Sequence, residues 1–316
     1  MKFRIFTFLL IAVAGLSACK KDGQDLNINQ YDQQQIENYM SANGLTDFKR
    51  DTTDGDSSGI YYKIINGGTG KRLEYSDAVS IVYTIKSLDG KYSATDTITN
   101  HYYNYLGHFI QTTELPITIG LQTAIHNILK YRDGSMRVLI PSRLAFGKTG
   151  YGVGSVTNVN SRIAGNQSLE YYVHVINNQE VYDDGIIQTY MRNNSLSGYT
   201  KTASGLYYKI ITPGTGTASI NEFSTISTTY TGSLLNNAFF DEGNKSTAVS
   251  FTVGSLADGV KEGITAYGKE GSSLSLIMPS RLAYGTGGSR NSAGQILIPP
   301  NCPLKFEFQI ATVTNN

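Results

Sequence analysis

The chain has 316 residues, too many for one typical domain and enough for two. Its formal net charge is +1, with 26 basic and 25 acidic residues and no long basic run, so nucleic acid is not an expected partner. Thirty-three Gly, 22 Tyr and no Trp suit β-rich structure with many turns. No CxxC, HExxH or phosphate-cradling Gly loop is present, so no metal and no cofactor is expected.

The N-terminus reads as an export signal. Lys2 and Arg4 precede twelve mostly apolar residues, Ile5 to Leu16. Twelve residues are too short for a spanning helix, which needs about 20. Leu16-Ser17-Ala18-Cys19 resembles the lipobox of bacterial lipoproteins. That resemblance implies a signal peptide over 1–18, lipidation of Cys19 and a lipid-anchored place in the bacterial cell envelope. Lys20 after the Cys leans to the outer membrane. Cys302 then has no intrachain partner and is expected to be a small packed residue.

Residues 19–30 are polar and read as a tether. Residues 31–45 carry Ile36, Tyr39 and Met40 at helical spacing, with Asp32 as N-cap and Gly44 near the stop. The pattern returns at 183–194 with Ile187, Tyr190 and Met191. It belongs to a larger duplication: IYYKII at 60–65 against LYYKII at 206–211, and IPSRLAFG at 140–147 against MPSRLAYG at 278–285. The offset drifts, which places insertions in the first copy, mainly in 92–118 and after Gly147.

Strands are expected where apolar residues alternate. Leu304, Phe306, Phe308 and Ile310 do so in the second copy, and Leu169, Tyr171, Val173 and Val175 in the first. Leu256, Val260, Ile264 and Tyr267 recur at helical spacing, so an amphipathic helix is expected against the sheet. The fold class is α+β. Two tandem modules, 31–178 and 179–316, each have a twisted antiparallel sheet wrapped on a short helix and a leading helix before it.

Five ordered pieces then point to a family: TTYTGSL (228–234), FFDEG (239–243), SFTVGSLADGVKEG (250–263), LIMPSRLAYG (276–285) and ILIPPNCPLKFEFQI (296–310). Residues 205–313 resemble an FKBP-type peptidyl-prolyl isomerase domain, and 59–177 resemble it more weakly. The resemblance implies rotation about the peptide bond before proline. Resonance gives that rotation a barrier of about 18–20 kcal/mol. No nucleophile, cofactor or metal is needed. A pocket that favours the twisted amide over both planar forms is enough.

Carried over, the resemblance implies Tyr230, Phe240, Asp241, Tyr284 and Ile298 as catalytic residues. It implies Leu256, Ala257, Val260, Leu297 and Phe306 as substrate-binding residues. Val260 stands where the family most often has Trp, and NKSTA (244–248) is read as departing from the basic residue that many members pair with the Asp at 241. The first copy departs further. Phe146 replaces the Tyr of LAYG, IAGN (163–166) replaces IPPN, and KYSATDT (91–97) stands where the Phe-Asp pair should be. It is read as keeping the fold without the catalysis, with the Tyr-rich insert 92–118 covering or replacing its pocket. His101 and His108 lie too far apart in sequence for a usual metal site.

The implied function is isomerisation of proline-containing unfolded or exported polypeptides, mainly by the second module. The alternatives are a non-catalytic FKBP-fold binding module, or a chaperone-like lipoprotein subunit of an envelope assembly. Beyond the polypeptide, the partners expected are the membrane, through the lipid anchor, and a second copy, as a homodimer through the leading helices.

Overall fold

The computed structural model describes residues 26–53, 58–111, 115–153, 162–241 and 247–315. The leader and Cys19 lie outside the described residues. No helix among them is long and apolar enough to cross a membrane.

Two antiparallel sheets of seven strands each follow one plan. In the first half, α1 (Ile28–Ala42) precedes β1 (Tyr61–Asn66), β2 (Ala78–Ser87) and β3 (His101–Tyr105). Then come α2 (Ile119–Thr123), β4 (Ser135–Ile140) and β5 (Leu169–Ile176). In the second half, α3 (Gln179–Asn193) precedes β6 (Tyr207–Thr212), β7 (Thr225–Leu234), β8 (Phe239–Asp241) and β9 (Val249–Thr252). After these come α4 (Asp258–Tyr267), β10 (Ser273–Met278), β11 (Ile296–Ile298) and β12 (Leu304–Thr314). The central order is β1-β4-β5-β2 in the first sheet and β6-β10-β12-β7 in the second, with a short strand on each outer side. β3 adds to β2, and β9 adds to β7.

The period-two pattern decides which face is covered. Leu304, Phe306, Phe308 and Ile310 of β12 are buried toward α4, while Glu307 and Gln309 between them are exposed. From α4, Val260 and Ile264 enter the same core. Gly263 lets the helix approach, because a Cβ there would stand 2.6 Å from the Leu276 side chain. Leu256 lies just before this helix, in extended backbone, rather than in its first turn. The first half differs here. α2 is short and continues as a wider π-helical turn, Ala124–Leu129, ending at Lys130 with φ 71°. The extra residue per turn keeps both Ala124 and Ile125 buried.

The leading helices correct one expectation. Asn27, not Asp32, caps α1, exchanging side-chain bonds with Gln30 at 3.1 Å each way. The helix therefore begins at Ile28, inside the stretch read as tether. Asp32 is fully buried and accepts from the Arg143 main chain at 3.3 Å. Its counterpart Asp183 is also buried. It accepts from the Ser280 N–H at 2.7 Å and the Ser280 hydroxyl at 2.6 Å, and from Gln179 at 2.7 Å. Each leading helix thus holds its sheet's Pro-Ser-Arg turn through one acid. Asp183→Ala leaves the Ser280 donors buried and unpaired. It is expected to destabilise the second half by about 2–3 kcal/mol, read by urea unfolding.

Candidate active site

The register of β7 against β12 sets the site. Tyr230 faces Phe308, and Gly232 faces Phe306. On the other side of β7, Gly232 faces Asp241 of β8, and the register shifts at Gly232/Ser233. The sheet edge therefore presents Tyr230, Phe240, Asp241 and Phe306 together. Phe240 meets Phe306 edge to face, with ring centroids 5.5 Å apart and planes at 82°. Gly232 makes room for this pair: a Cβ there would lie 2.6 Å from the Phe240 ring and 2.9 Å from Phe306. The Gly of TYTG is needed for space rather than for a turn.

Tyr230 donates its hydroxyl to the Asp241 carboxylate at 2.6 Å. Its ring stacks on Phe308 at 5.7 Å and meets Phe251 edge-on at 5.5 Å. Burial pushes the Tyr230 phenol up, and the Asp241 carboxylate adds to the effect. Tyr284, 43% exposed, is also pushed up, first by burial and then by the Asp241 charge. Asp241 thus adds to the effect of burial at both tyrosines. The expectation that 244–248 lacks a basic partner for Asp241 falls on a stretch whose residues 244–246, Lys245 among them, lie outside the described residues. Tyr230 provides one hold on it.

The other expected residues fall around this edge. Ile298 is 2% exposed at the end of β11 and packs in the same core as Phe306 and Val260. Leu297 points outward and is exposed. Leu256 and Ala257 are half-buried against that core, and Ala257 immediately precedes α4. Val260 is buried on the first turn of α4, beneath the aromatics. Phe251 and Phe308 were not expected at the site. The alternation of β12 placed Phe308 in the core, but its stacking on Tyr230 depends on register with β7.

The first half has the same framework with the counterpart positions Tyr83, Ile125 and Ile163 buried and Phe146 half-buried. Tyr83 is 1% exposed, where Tyr230 is only half-buried, and burial pushes its phenol far up. It shares a continuous core with Tyr92, Ile117, Ile125, Ile163 and Tyr171. Tyr151 packs 4.8 Å from Phe146 and 6.5 Å from Tyr92. Insert residues Tyr92 and Ile117 are thus buried in the same core as Tyr83. His101 and His108 are apart in role as well as in sequence. His101 is buried against the second half, and His108 lies edge-on to Tyr105 at 5.7 Å. Cys302 is buried, and burial raises its thiol to about 12, which suits packing rather than reactivity.

Residues 216–311 match the family model described as FKBP-type peptidyl-prolyl cis-trans isomerase. The match lies wholly within the second half. The chain is 36% identical over 130 residues to the FKBP-type isomerase FkpA of Buchnera aphidicola, covering 40% of this chain and 51% of that protein. It is 34% identical over 122 residues to the outer membrane protein MIP of Legionella longbeachae, covering 38% and 49%. The crystal structure of Escherichia coli FkpA aligns at 25% identity over 43% of this chain and 61% of that one, with a TM-score of 0.36. The chain thus spans about half the length of the relatives it matches in sequence. The matched stretch contains every residue described at the β7–β8–β12 edge.

Proposed function

We propose that this protein is a peptidyl-prolyl cis-trans isomerase of the bacterial cell envelope, with the reaction carried by the second half. The observation that carries this reading is the Tyr230–Asp241 pair beside Tyr284, set against the Phe240–Phe306 aromatic corner. A proline ring enters the apolar corner over Val260. Leaving water weakens the charge-separated planar form of the preceding amide. The Tyr284 hydroxyl then donates to a substrate carbonyl and holds the chain while the bond turns. Ile298, Leu297, Leu256 and Ala257 wall the groove, with the Ala257 main chain available to the substrate. The two modules, 31–178 and 179–316, divide the work. The first keeps the fold, but Tyr83 is closed to a ligand.

The substrates are proline-containing segments of unfolded or exported polypeptides. Acylation at Cys19 holds the protein to a membrane, and the outer-membrane relative MIP supports that address. Exposed Leu26, Ile28 and Tyr31 at the start of α1 support homodimerisation through the leading helices. Val260 favours a second reading. A floor smaller than Trp suits gripping varied apolar segments more than turning one bond quickly. An Xaa-Pro tetrapeptide assay on the full chain decides between them. Acceleration that falls roughly tenfold in Tyr284→Phe is expected of the enzyme, the hydroxyl bond being worth about 1.4 kcal/mol in the twisted state. No acceleration, with retained binding of unfolded chains, would establish the chaperone-like reading instead.

A further inference from the structure

The loop that follows the site's wall, Pro299–Cys302, does not end in solvent. It is seated on the first half. Asn301 is buried with φ 54°, a left-handed conformation that Asn tolerates. Its N–H donates to the Gly285 carbonyl at 2.8 Å, one residue beyond Tyr284. Its side-chain amide donates to the Ser80 hydroxyl of β2 at 3.0 Å, across 221 residues of sequence. Ser80 in turn donates to Gln179 at 2.8 Å, and Gln179 donates to Asp183, which holds Ser280. One hydroxyl of the first half is therefore bonded toward both ends of the segment 280–301 that carries Tyr284 and Ile298.

Two more contacts fix the same loop. The Cys302 sulfur lies 3.4 Å from the Ile98 carbonyl, and the Ile98 side chain packs into the second-half cores. His101 of β3 is buried beside the main chain of Pro300 and Asn301. Pro299 and Pro300 have nearly fixed φ, so immobilising Asn301 limits where Ile298 can move. The first half supplies its own control. Asn166 has the same left-handed φ, 57°, and the same main-chain bond, to Gly147 at 2.7 Å. There, however, the main-chain carbonyl of the Asn accepts from Gln35 of its own leading helix at 3.3 Å, and Ala164-Gly165 precede it in place of two prolines.

We propose that the first half is a positioning element for the pocket of the second, with Ser80 as its central residue. It touches no substrate. It reduces the ordering cost of the Ile298 wall and the Tyr284 hydroxyl by holding the loop between them before a peptide arrives. This rests on the isomerase reading above for its kinetic consequence, but not for its structural one.

The test uses the full chain with Ser80→Ala and Ser80→Thr. Removing the hydroxyl leaves Asn301 and Gln179 without that partner. Hydrogen exchange of the segment 284–302 is expected to quicken roughly fivefold, with the Asp183–Ser280 anchor unchanged in protection. Tetrapeptide kinetics should show KM raised by a similar factor with kcat nearly unchanged, since the groups acting on the twisted amide are intact. Ser80→Thr keeps the hydroxyl and should restore both. Asn301→Gly, which keeps the left-handed backbone, should reproduce the Ala variant. If the wild-type chain proves inactive, the exchange measurement alone decides. Unchanged exchange over 284–302 in Ser80→Ala overturns the proposal whatever the activity. So does a general loss of stability that Ser80→Thr does not rescue.

Discussion

Replacing Asp241 by Ala in the full chain is expected to lower kcat/KM for Xaa-Pro exchange by roughly tenfold or more. The fold should remain intact. The carboxylate accepts from Tyr230 at 2.6 Å and sits on an exposed edge strand. Its loss leaves the Tyr230 hydroxyl near water rather than buried, so the stability change should stay below about 1 kcal/mol. The kinetic loss is larger because the pocket is small and the groups in it are few. Without Asp241, the Tyr230 hydroxyl loses the acceptor that fixes it, and the carboxylate itself is gone from the edge of the pocket. Alkaline titration followed by tyrosine absorbance gives a check independent of activity. A negative charge beside a phenol disfavours the phenolate, so its removal should let Tyr230 and Tyr284 ionise at lower pH than in the wild type. Asp241→Asn keeps an acceptor and loses the charge. It should retain more activity than Ala while showing the same titration change. Unaltered kcat/KM in the Ala variant would remove Asp241 from the mechanism.

What was legible in the sequence follows the range of the signal. Alternation in Leu304–Ile310 gave the last strand and its inner face, because a strand's two faces are written two residues apart. The Phe240–Asp241 pair was legible because neighbours in sequence stay neighbours on a strand. Asp32 was misread as a cap. A capping acid and a buried anchoring acid look alike at a helix start, and only the fold brings Ser168 and Arg143 to Asp32. The insert 92–118 was half legible. Its aromatics announced packing around Tyr83, but nothing local announced that Ile98 and His101 face the second half. The bond between Ser80 and Asn301 joins two ordinary polar residues 221 positions apart. No composition or period marks such a pair. It arises from how two sheets meet.

His101 makes that meeting sensitive to acid. Burial lowers its imidazole to about 4 from an ordinary 6.5. Main-chain groups of Thr97, Asn301 and Pro300, and the Asp96 carboxylate, oppose the shift only in part. Its ring lies edge-on to Tyr182 of α3 at 6.1 Å, and Tyr182 also meets His174 at 5.8 Å. The folded form thus holds His101 neutral, while the unfolded chain takes up a proton on it as pH falls below about 6.5. Where the unfolded state binds more protons, stability falls with falling pH. The loss begins near 6.5 and is complete once pH passes below about 4, where the folded form also protonates. Between pH 7 and 5 this one residue should cost about 2 kcal/mol of stability, from 1.36 kcal/mol per pKa unit. Other titrating groups, buried Asp183 with its raised carboxyl among them, are common to wild type and variant, so comparison with a His101 variant isolates the effect. His101→Gln, a neutral residue of similar reach, should be less stable at pH 7 and should lose less on going to pH 5. Urea unfolding of both proteins at the two pH values gives the difference directly. Because His101 faces Pro300 and Asn301, the wild type should also show faster hydrogen exchange over 284–302 at pH 5, after correction for the intrinsic rate. Equal pH dependence in wild type and His101→Gln would mean that the imidazole is not held neutral, and that protonating it does not oppose the contact between the two halves.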